Sequence, residues 1–285
     1  MNIPSSVSPF PGRWGLDLRA ASVSITFDNL GEAADLERGL WPKDEPIGQH
    51  FSVTRVLPAI LKMLAGFGFS ATFFVEGLNV ELYPQAIRDI VDAGHEVAYH
   101  AWRHEQWQRL GYAQEVRILE RGIHALDKLA IRPSGFRPPG GVLTPSSVNI
   151  LKSMGFTYCS PAGFTASISD SLVVLPFSWQ CVDAYAYLPH FSSHRERFGD
   201  TPDVLPPAHL REILRLAMKK SVQDGSYLSL LFHPFLEEKP ERFEVMYETL
   251  AYLRDLVDAG HTWCAPCHTV AHWMLNHPAS FSNTP

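Results

Sequence analysis

Ionisable side chains follow five short apolar runs of this sequence, at the point where each run ends. They are Asp28 after SITF, His100 and His104 after EVAY, Arg137 after GF, Asp183 after the 173–182 region, and His233 after YLSLLF. In a parallel sheet the carboxyl ends of the strands lie on one side, so these groups would meet there. Carboxylate, imidazole and guanidinium groups in one place support general acid–base chemistry. The pattern therefore predicts a catalytic centre at this end of a sheet.

His100 and His104 are four residues apart, in the segment HAWRH. On a helical turn two such imidazoles share one face, which suits two ligands of a divalent metal ion. The alternative is a pair of unrelated histidines, since the chain has 13. Their position directly after an apolar run favours the metal site.

Asp28 and Arg137 are of the types that form a general base and its partner. A carboxylate at the end of a buried strand could take a proton from water, and a guanidinium beside it would keep it ionised and oriented. His233, between Phe232 and Pro234, could donate a proton to a leaving group. The alternatives are a turn cap for Asp28, a surface charge for Arg137 and a hydrogen-bonded core histidine for His233.

Short β-rich runs alternate with amphipathic segments along the chain. We expect strands at 21–27, 71–75, 96–99, 134–136, 156–159, 172–175, 227–232 and 261–264, and helices at 53–66, 84–93, 112–129, 145–154, 205–223, 242–259 and 270–275. This alternation predicts an α/β fold in which about seven parallel strands form a barrel with helices outside. We expect a single domain over residues 21–275, with an extension at 1–20 and a tail at 276–285. Segments 31–49 and 187–208 lack periodicity and are expected to be rim or lid loops.

Composition excludes several classes of protein. The chain has 285 residues, 46% of them apolar and 19% charged, which is typical of globular proteins. The net charge is −6 and no run of Lys or Arg stands out, so neither nucleic acid nor an anionic membrane is the expected partner. No apolar run reaches the roughly 18 residues of a membrane span. Because residues 1–20 lack a basic start and an apolar stretch, we predict a cytoplasmic protein whose four cysteines are thiols.

Two further signals leave alternatives open. The segment Cys264-Ala-Pro-Cys267-His268 matches a haem attachment pattern, could form part of a zinc site with His272, or is simply a turn with free thiols, which we favour. Aromatic residues near the motifs could stack on a sugar or ring, although packing is the commoner role of such residues. The first candidates are Trp102 and Tyr185, and the weaker ones are Trp107, Trp179 and Tyr187.

Taken in order, the motifs resemble those of the polysaccharide deacetylase (NodB-homology) family. They are Thr26-Phe27-Asp28-Asn29, His100-x-x-x-His104, Arg137-Pro-Pro-Gly140, Asp183 and Leu230-Leu231-Phe232-His233-Pro234, together with the run ATFFVEG at 71–77. The resemblance extends over nearly the whole chain. It implies a distorted (β/α) barrel that hydrolyses a non-peptide C–N bond, usually with a divalent metal ion.

The resemblance also implies a role for each matching residue. Asp28 is similar to the family's catalytic base, Arg137 to the arginine that orients it, His233 to the general acid and Asp183 to the acid that tunes this histidine. Asn29, His100 and His104 match the metal ligands, and zinc is the metal we expect. As contacts to a small-molecule substrate we name Glu32, Trp102, Pro139 and Tyr185.

Asn29 departs from the family, which usually has Asp at this place, and Ala101 replaces a small hydroxyl residue. An amide oxygen is a neutral and weaker ligand than a carboxylate. Our leading prediction is metal-assisted N-deacetylation of a soluble amino sugar or related small molecule in carbohydrate metabolism. The alternatives are metal-independent hydrolysis of a cyclic amide or ureide, as in the allantoinase-like branch, and a non-catalytic family member. A homo-oligomer is compatible with the sequence.

Overall fold

Nine β-strands of the described residues, 13–281, pair into one curved sheet in this computed structural model. They are Ala21–Asp28 (β1), Thr72–Val75 (β2), Glu96–Tyr99 (β3), Gly135–Phe136 (β4), Tyr158–Cys159 (β5), Ser167–Ser169 (β6), Leu172–Val174 (β7), Tyr227–Phe232 (β8) and Thr262–Cys264 (β9). The order across the sheet is β6-β7-β5-β4-β3-β2-β1-β8, and β9 pairs with the first residues of β1.

Every strand pair of this sheet is parallel except β6–β7. The expected α/β barrel-like fold is confirmed, as a sheet curled into a half-barrel. At the edge of the sheet, β6 runs antiparallel to β7, in addition to the roughly seven parallel strands expected from the sequence. Asp170 and Ser171 have φ angles of 47° and 69°, the left-handed geometry of a tight hairpin turn, so β6 and β7 must run in opposite directions.

Helices cover the outside of the sheet. They are Ala33–Arg38 (α1), Leu57–Phe67 (α2), Gly77–Leu82 (α3), Pro84–Asp92 (α4), Tyr112–Asp127 (α5), Ser147–Ser153 (α6), Asp183–Tyr187 (α7), Ser192–Arg197 (α8), Pro207–Asp224 (α9), Pro240–Asp258 (α10) and Cys267–Asn276 (α11). One π-helical turn, Ser52–Val56, leads into α2, where Pro58 takes a first-turn position that needs no backbone donor.

The two segments expected to be irregular contain short helices. Segment 31–49 begins with α1, which ends at Gly39 in the left-handed conformation (φ 67°). Segment 187–208 contains the 3₁₀ turn Pro189–Phe191 and then α8. These helices have six residues or fewer, too few for a periodic apolar pattern to identify them in the sequence.

All eight residues of β1 are buried, because neighbouring strands and helices cover both faces of the sheet. Phe27 stacks on Phe73 of β2 with ring centroids 4.7 Å apart, and burying a Phe side chain stabilises a fold by about 1.5–3 kcal/mol. This packing fixes the end of β1 and therefore the position of Asp28.

The terminal segments pack on the barrel. Trp14 is fully buried, donates from Nε1 to the Gly225 carbonyl (3.1 Å) and contacts Phe281, with ring centroids 4.7 Å apart. The parts of the predicted extension and tail that lie within residues 13–281 therefore belong to the folded unit, whereas residues 1–12 and 282–285 lie outside the described residues. Within residues 13–281, no helix has the length and apolar character that a membrane span requires.

Candidate active site

A cavity of about 350 Å³ opens at the carboxyl ends of the strands. This volume falls in the range of small-molecule sites. The cavity is lined by Asp28, Asn29, His100, His104 and His233 from the predicted set, and by Arg38, which the sequence analysis did not single out. The structure thus brings the base, acid and metal-ligand candidates into one space, although 205 positions separate residues 28 and 233.

Arg137 is completely buried and holds Asp28. Its Nη1 donates to Asp28 Oδ1 over 2.7 Å, and the same guanidinium donates to the hydroxyls of Thr26, Ser160 and Ser229. A buried guanidinium needs both an anion and polar acceptors, and here it has them. The arrangement fixes Asp28 with one carboxylate oxygen occupied and directs Oδ2 towards His100.

His233 is paired with Asp183, which lies behind it. The Asp183 carboxylate accepts from His233 Nδ1 (2.5 Å) and from the His233 backbone N–H (2.6 Å). Burial by itself lowers the pKa of His233, but the charge and the hydrogen bond of Asp183 outweigh it, so the pKa is raised. Because Nδ1 is bound to Asp183, Nε2 is the ring nitrogen left for proton transfer in the cavity.

Glu237 is a further buried carboxyl group next to Asp183, and no motif in the sequence pointed to it. Its pKa is raised well above the usual range by burial, by the charge of Asp183 and by a hydrogen bond with Asp183. The raised pKa favours the protonated form of Glu237, in which it can donate to Asp183.

His100 is buried and uncharged. Burial, reinforced by the nearby charges of Arg137 and His233, lowers its pKa to about 3. Nδ1 donates to the Arg137 carbonyl (2.8 Å), which leaves the lone pair of Nε2 on the side of Asp28, 3.8 Å from Oδ2. This gap is too long for a direct hydrogen bond.

His104 contacts a cation. Its ring lies 5.1 Å from that of His100, and Arg38 Nη2 donates to His104 Nδ1 over 3.3 Å. A neutral imidazole has one lone pair, so with Nδ1 accepting from Arg38 the proton is on Nε2. Burial, then the charges of His100 and Arg38, lower the pKa of His104 well below its usual value.

The residues present do not fit the metal ion that the family resemblance implies. The buried Asn29 Oδ1 has no hydrogen-bond partner among the described residues and His100 Nε2 has a lone pair available, so these two atoms could act as ligands. The lone pair of His104, however, is occupied by Arg38. With Asp28 Oδ2 kept for proton transfer, the two neutral ligands that are left are fewer than the three protein ligands of a catalytic zinc site. Residues 13–281 contain no group of three or more His, Cys, Asp or Glu side chains arranged for a metal.

The structure does not bring the four expected substrate contacts to the cavity lining. Glu32 is buried elsewhere, where it accepts from Tyr83 Oη (2.5 Å) and Gly48 N (2.6 Å) and anchors segment 39–50. Pro139 is buried in the turn Pro139–Gly141, whose glycines line the cavity while Pro139 does not.

The two expected aromatic contacts also pack away from the cavity. Trp102 is buried beneath the Arg121 guanidinium, which lies 3.6 Å from its ring centroid. Tyr185 is fully buried and its hydroxyl donates to Asp200. Packing, the commoner role of buried aromatic residues, explains both positions.

Other aromatic and histidine side chains form one wall of the cavity. Trp179 contacts Phe191 and His194, with ring centroids 5.0 and 5.2 Å away, and His190 lies next to Phe191. Trp179 was a weaker candidate for stacking in the sequence. The segment 187–208 contains the other three, His190, Phe191 and His194. The only signal in the sequence that could have identified them was the presence of aromatic and histidine residues in this segment.

The cysteine motif near the carboxyl end lies in a different region. Cys264 and Cys267 are free thiols, and burial raises the pKa of each, so both are protonated. His268 Nδ1 lies 3.1 Å from the Glu96 carboxylate. This geometry agrees with our preferred interpretation, a turn with free thiols.

Three comparisons place this geometry among known proteins. The family model described as polysaccharide deacetylase matches residues 16–159, just over half of the chain. The peptidoglycan deacetylase of Helicobacter pylori is 28% identical over 147 residues, which cover 51% of this chain and 47% of that protein. A Mycobacterium smegmatis crystal structure, described as a candidate polysaccharide deacetylase, has a TM-score of 0.80 and 27% identity, covering 96% of each chain. A crystal structure of PuuE allantoinase has a TM-score of 0.75 and 19% identity over 98% and 99% of the two chains, a likeness of fold.

The matches to curated relatives are partial in length. The aligned segments cover 30%, 47% and 34% of three of these proteins, less than half of each. The part matched by the family model, residues 16–159, includes Asp28, His100 and Arg137.

Proposed function

This chain belongs to the polysaccharide deacetylase family, and from that membership we propose that it hydrolyses a C–N bond other than a peptide bond, removing an N-acyl group from a small molecule such as an amino sugar. One observation carries the proposal. Asp28 and His233 line the same cavity, and each is held by its own charged partner, Arg137 and Asp183. A fixed base and a fixed acid at one site are what amide hydrolysis needs.

Asp28 acts first, as the general base. Arg137 binds Oδ1, so Oδ2 is the oxygen that accepts a proton from a water molecule in the cavity. The resulting hydroxide adds to the acyl carbon and forms a tetrahedral intermediate. General bases held in this way accelerate reactions by about 10²–10⁴-fold.

His104 is positioned to stabilise the negative charge of that intermediate. With Nδ1 accepting from Arg38, its Nε2–H is a donor for the carbonyl oxygen as charge develops there. A zinc ion, which the family resemblance implies, would supply a Lewis acid at this point. Because the donor set does not fit it, the steps proposed here use protein side chains alone.

His233 completes the reaction as the general acid. Its raised pKa favours the protonated ring, and Nε2 transfers that proton to the departing nitrogen as the C–N bond breaks. An amine is a poor leaving group unless it is protonated, so a separate acid is necessary. Proton transfer from Asp28 then restores His233.

The contact between Arg38 and His104 favours a second candidate, metal-independent hydrolysis of a cyclic amide or ureide. A bound metal would need Arg38 to leave His104, whereas a cyclic ureide can be opened by the same base and acid without one. The two candidates differ in substrate and share Asp28 and His233.

An activity screen over N-acetyl, N-formyl and cyclic ureide compounds tests both candidates. We expect turnover of at least one class by the wild type and loss of it in Asp28→Asn and His233→Gln. Asp92→Asn and His124→Gln, exposed positions on α4 and α5, are the matched controls and keep wild-type activity. Ligand binding without turnover by the wild type would support a non-catalytic protein instead.

A cytoplasmic location and a homo-oligomer stay predictions, which cell fractionation and light scattering test.

A further inference from the structure

The cavity has an unbalanced positive charge, although the whole chain has a net charge of −6. Within the described part of the chain, its lining has two side chains of fixed charge, Asp28 and Arg38. The charge of Asp28 is balanced by Arg137 behind it. Arg38 has no carboxylate within 4 Å among residues 13–281, so its charge is left without an anion.

The local structure aims Arg38 at the cavity. It is the last residue of α1, which turns at Gly39, and its guanidinium reaches His104. A cation at a helix carboxyl terminus is favourable in itself. That effect does not require the side chain to extend into the cavity, so the contact with His104 needs a different explanation.

The other charged partner at the cavity has its own anion. His233 lines the cavity, and its Nδ1 lies 2.5 Å from the Asp183 carboxylate behind it. Arg38 has a permanent charge and contacts a ring nitrogen of His104 rather than a carboxylate. Among the described residues of the lining, Arg38 is therefore the permanent cation whose charge no protein carboxylate balances.

Arg38 is also close to the reacting groups. It contacts His104, whose ring centroid is 5.1 Å from that of His100, and His100 in turn lies 3.8 Å from Asp28. An anionic group bound to Arg38 would therefore lie near the acyl group that Asp28 and His233 act on. The aromatic wall at Trp179 offers a face for the rest of a ring-shaped substrate.

We propose that Arg38 binds a carboxylate of the substrate, so that the preferred substrates are N-acyl compounds with a carboxylate close to the scissile amide. The proposal rests on the proposed hydrolase function and adds the substrate's charge. A guanidinium pairs with a carboxylate through two parallel hydrogen bonds, which makes this recognition specific as well as strong.

Matched pairs of ligands test the proposal. The probes are N-acetylmuramic acid and its methyl ester, and an N-acetyl amino acid and its methyl ester, so each pair differs by one negative charge. Affinity is measured by calorimetry and turnover by amine release, with the wild type, Arg38→Gln, Arg38→Lys and the control Arg88→Gln on the outer helix α4. Calorimetry detects the preference for the acid even where no turnover occurs, so failure of the hydrolase function is seen separately.

We expect the wild type and Arg88→Gln to bind at least one acid about 10- to 100-fold more tightly than its ester. Arg38→Gln should lose this preference while its affinity for the ester stays the same, and Arg38→Lys should keep part of it. A wild type without preference for either acid overturns the proposal. So does Arg38→Gln that weakens acid and ester equally, since Arg38 would then act only through His104.

Discussion

Two buried carboxylates on nearby strands, Asp28 at the end of β1 and Glu96 at the start of β3, have opposite surroundings. Both oxygens of Glu96 have protein partners: Tyr158 donates to Oε1 over 2.8 Å, and Thr72 and the His268 backbone donate to Oε2 over 2.7 and 2.9 Å. Asp28 has Arg137 on one oxygen, and its other oxygen lies in a cavity, 3.8 Å from His100.

The difference separates a structural carboxylate from a chemical one. A buried acid whose hydrogen-bonding capacity is used entirely by the protein stabilises the fold and has nothing left for a ligand. An acid that is held on one side and open on the other can exchange a proton. The carboxyl end of β1 therefore has a reactive carboxylate and the amino end of β3 a structural one. Substitution of Asp28 should mainly reduce activity, and substitution of Glu96 should mainly reduce stability.

The largest expected effect is on catalysis at Asp28. Asp28→Asn should lower kcat/KM about 10³- to 10⁴-fold, because the amide cannot accept the proton of water. Its oxygen can still accept from Arg137, so the loss of folding free energy should be smaller than for Asp28→Ala, which leaves a buried charge unpaired. Steady-state kinetics and thermal melts measure the two quantities. A variant that retains a tenth of wild-type turnover would exclude Asp28 as the base.

Glu96→Gln should show the reverse. The amide group places a donor where Glu96 accepts from three neighbours, so the free energy of unfolding should fall by about 1–3 kcal/mol. The value of kcat/KM per folded molecule should stay within about twofold of the wild type. Urea unfolding and active-site titration separate the two effects. If activity falls while stability is unchanged, the distinction between the two sides of the sheet is incorrect.

Asp183→Asn should change the pH dependence. Without the carboxylate, burial of His233 outweighs the remaining charge of Asp28 and lowers the pKa of His233, so the alkaline limb of the kcat/KM profile should move to lower pH. Since the wild-type pKa is raised above 6.5, the pair's contribution to stability is full below that pH and is lost as the pH rises through the folded-state value. The variant should therefore lose more stability at pH 5 than at pH 9. An unchanged pH profile would show that Asp183 does not tune His233.

The smallest expected effect follows from removing metal ions. Because Arg38 occupies the lone pair of His104, treatment with EDTA should leave activity within about twofold and purified protein should contain no stoichiometric zinc. Elemental analysis and activity before and after dialysis check this. Loss of activity that zinc restores would mean that Arg38 moves aside and that His104 is a ligand.

Much of the fold was predictable because burial patterns are local. The apolar run that became β1, the strands Glu96–Tyr99 and Tyr227–Phe232 and the long helices α5, α9 and α10 lie where the alternation of apolar and polar residues placed them, within a few residues. The strand β6 and the short helices α1 and α8 were not predicted. Two of the three residues of β6 are Ser, and a helix of six residues makes fewer than two turns, too short for a repeat of 3.6 residues to be recognised.

The chemistry of the strand ends could be predicted from the amino-acid sequence, because a parallel sheet brings the ends of all its strands to one side wherever they occur in the chain. That rule was enough to bring together Asp28, Arg137 and His233. The contributions of the loops could be seen only in the folded molecule: Glu32 turns inward to Tyr83, whereas Arg38 reaches His104, 66 positions away. The direction of a loop side chain depends on distant neighbours that compete for its hydrogen bonds, and no local pattern encodes them.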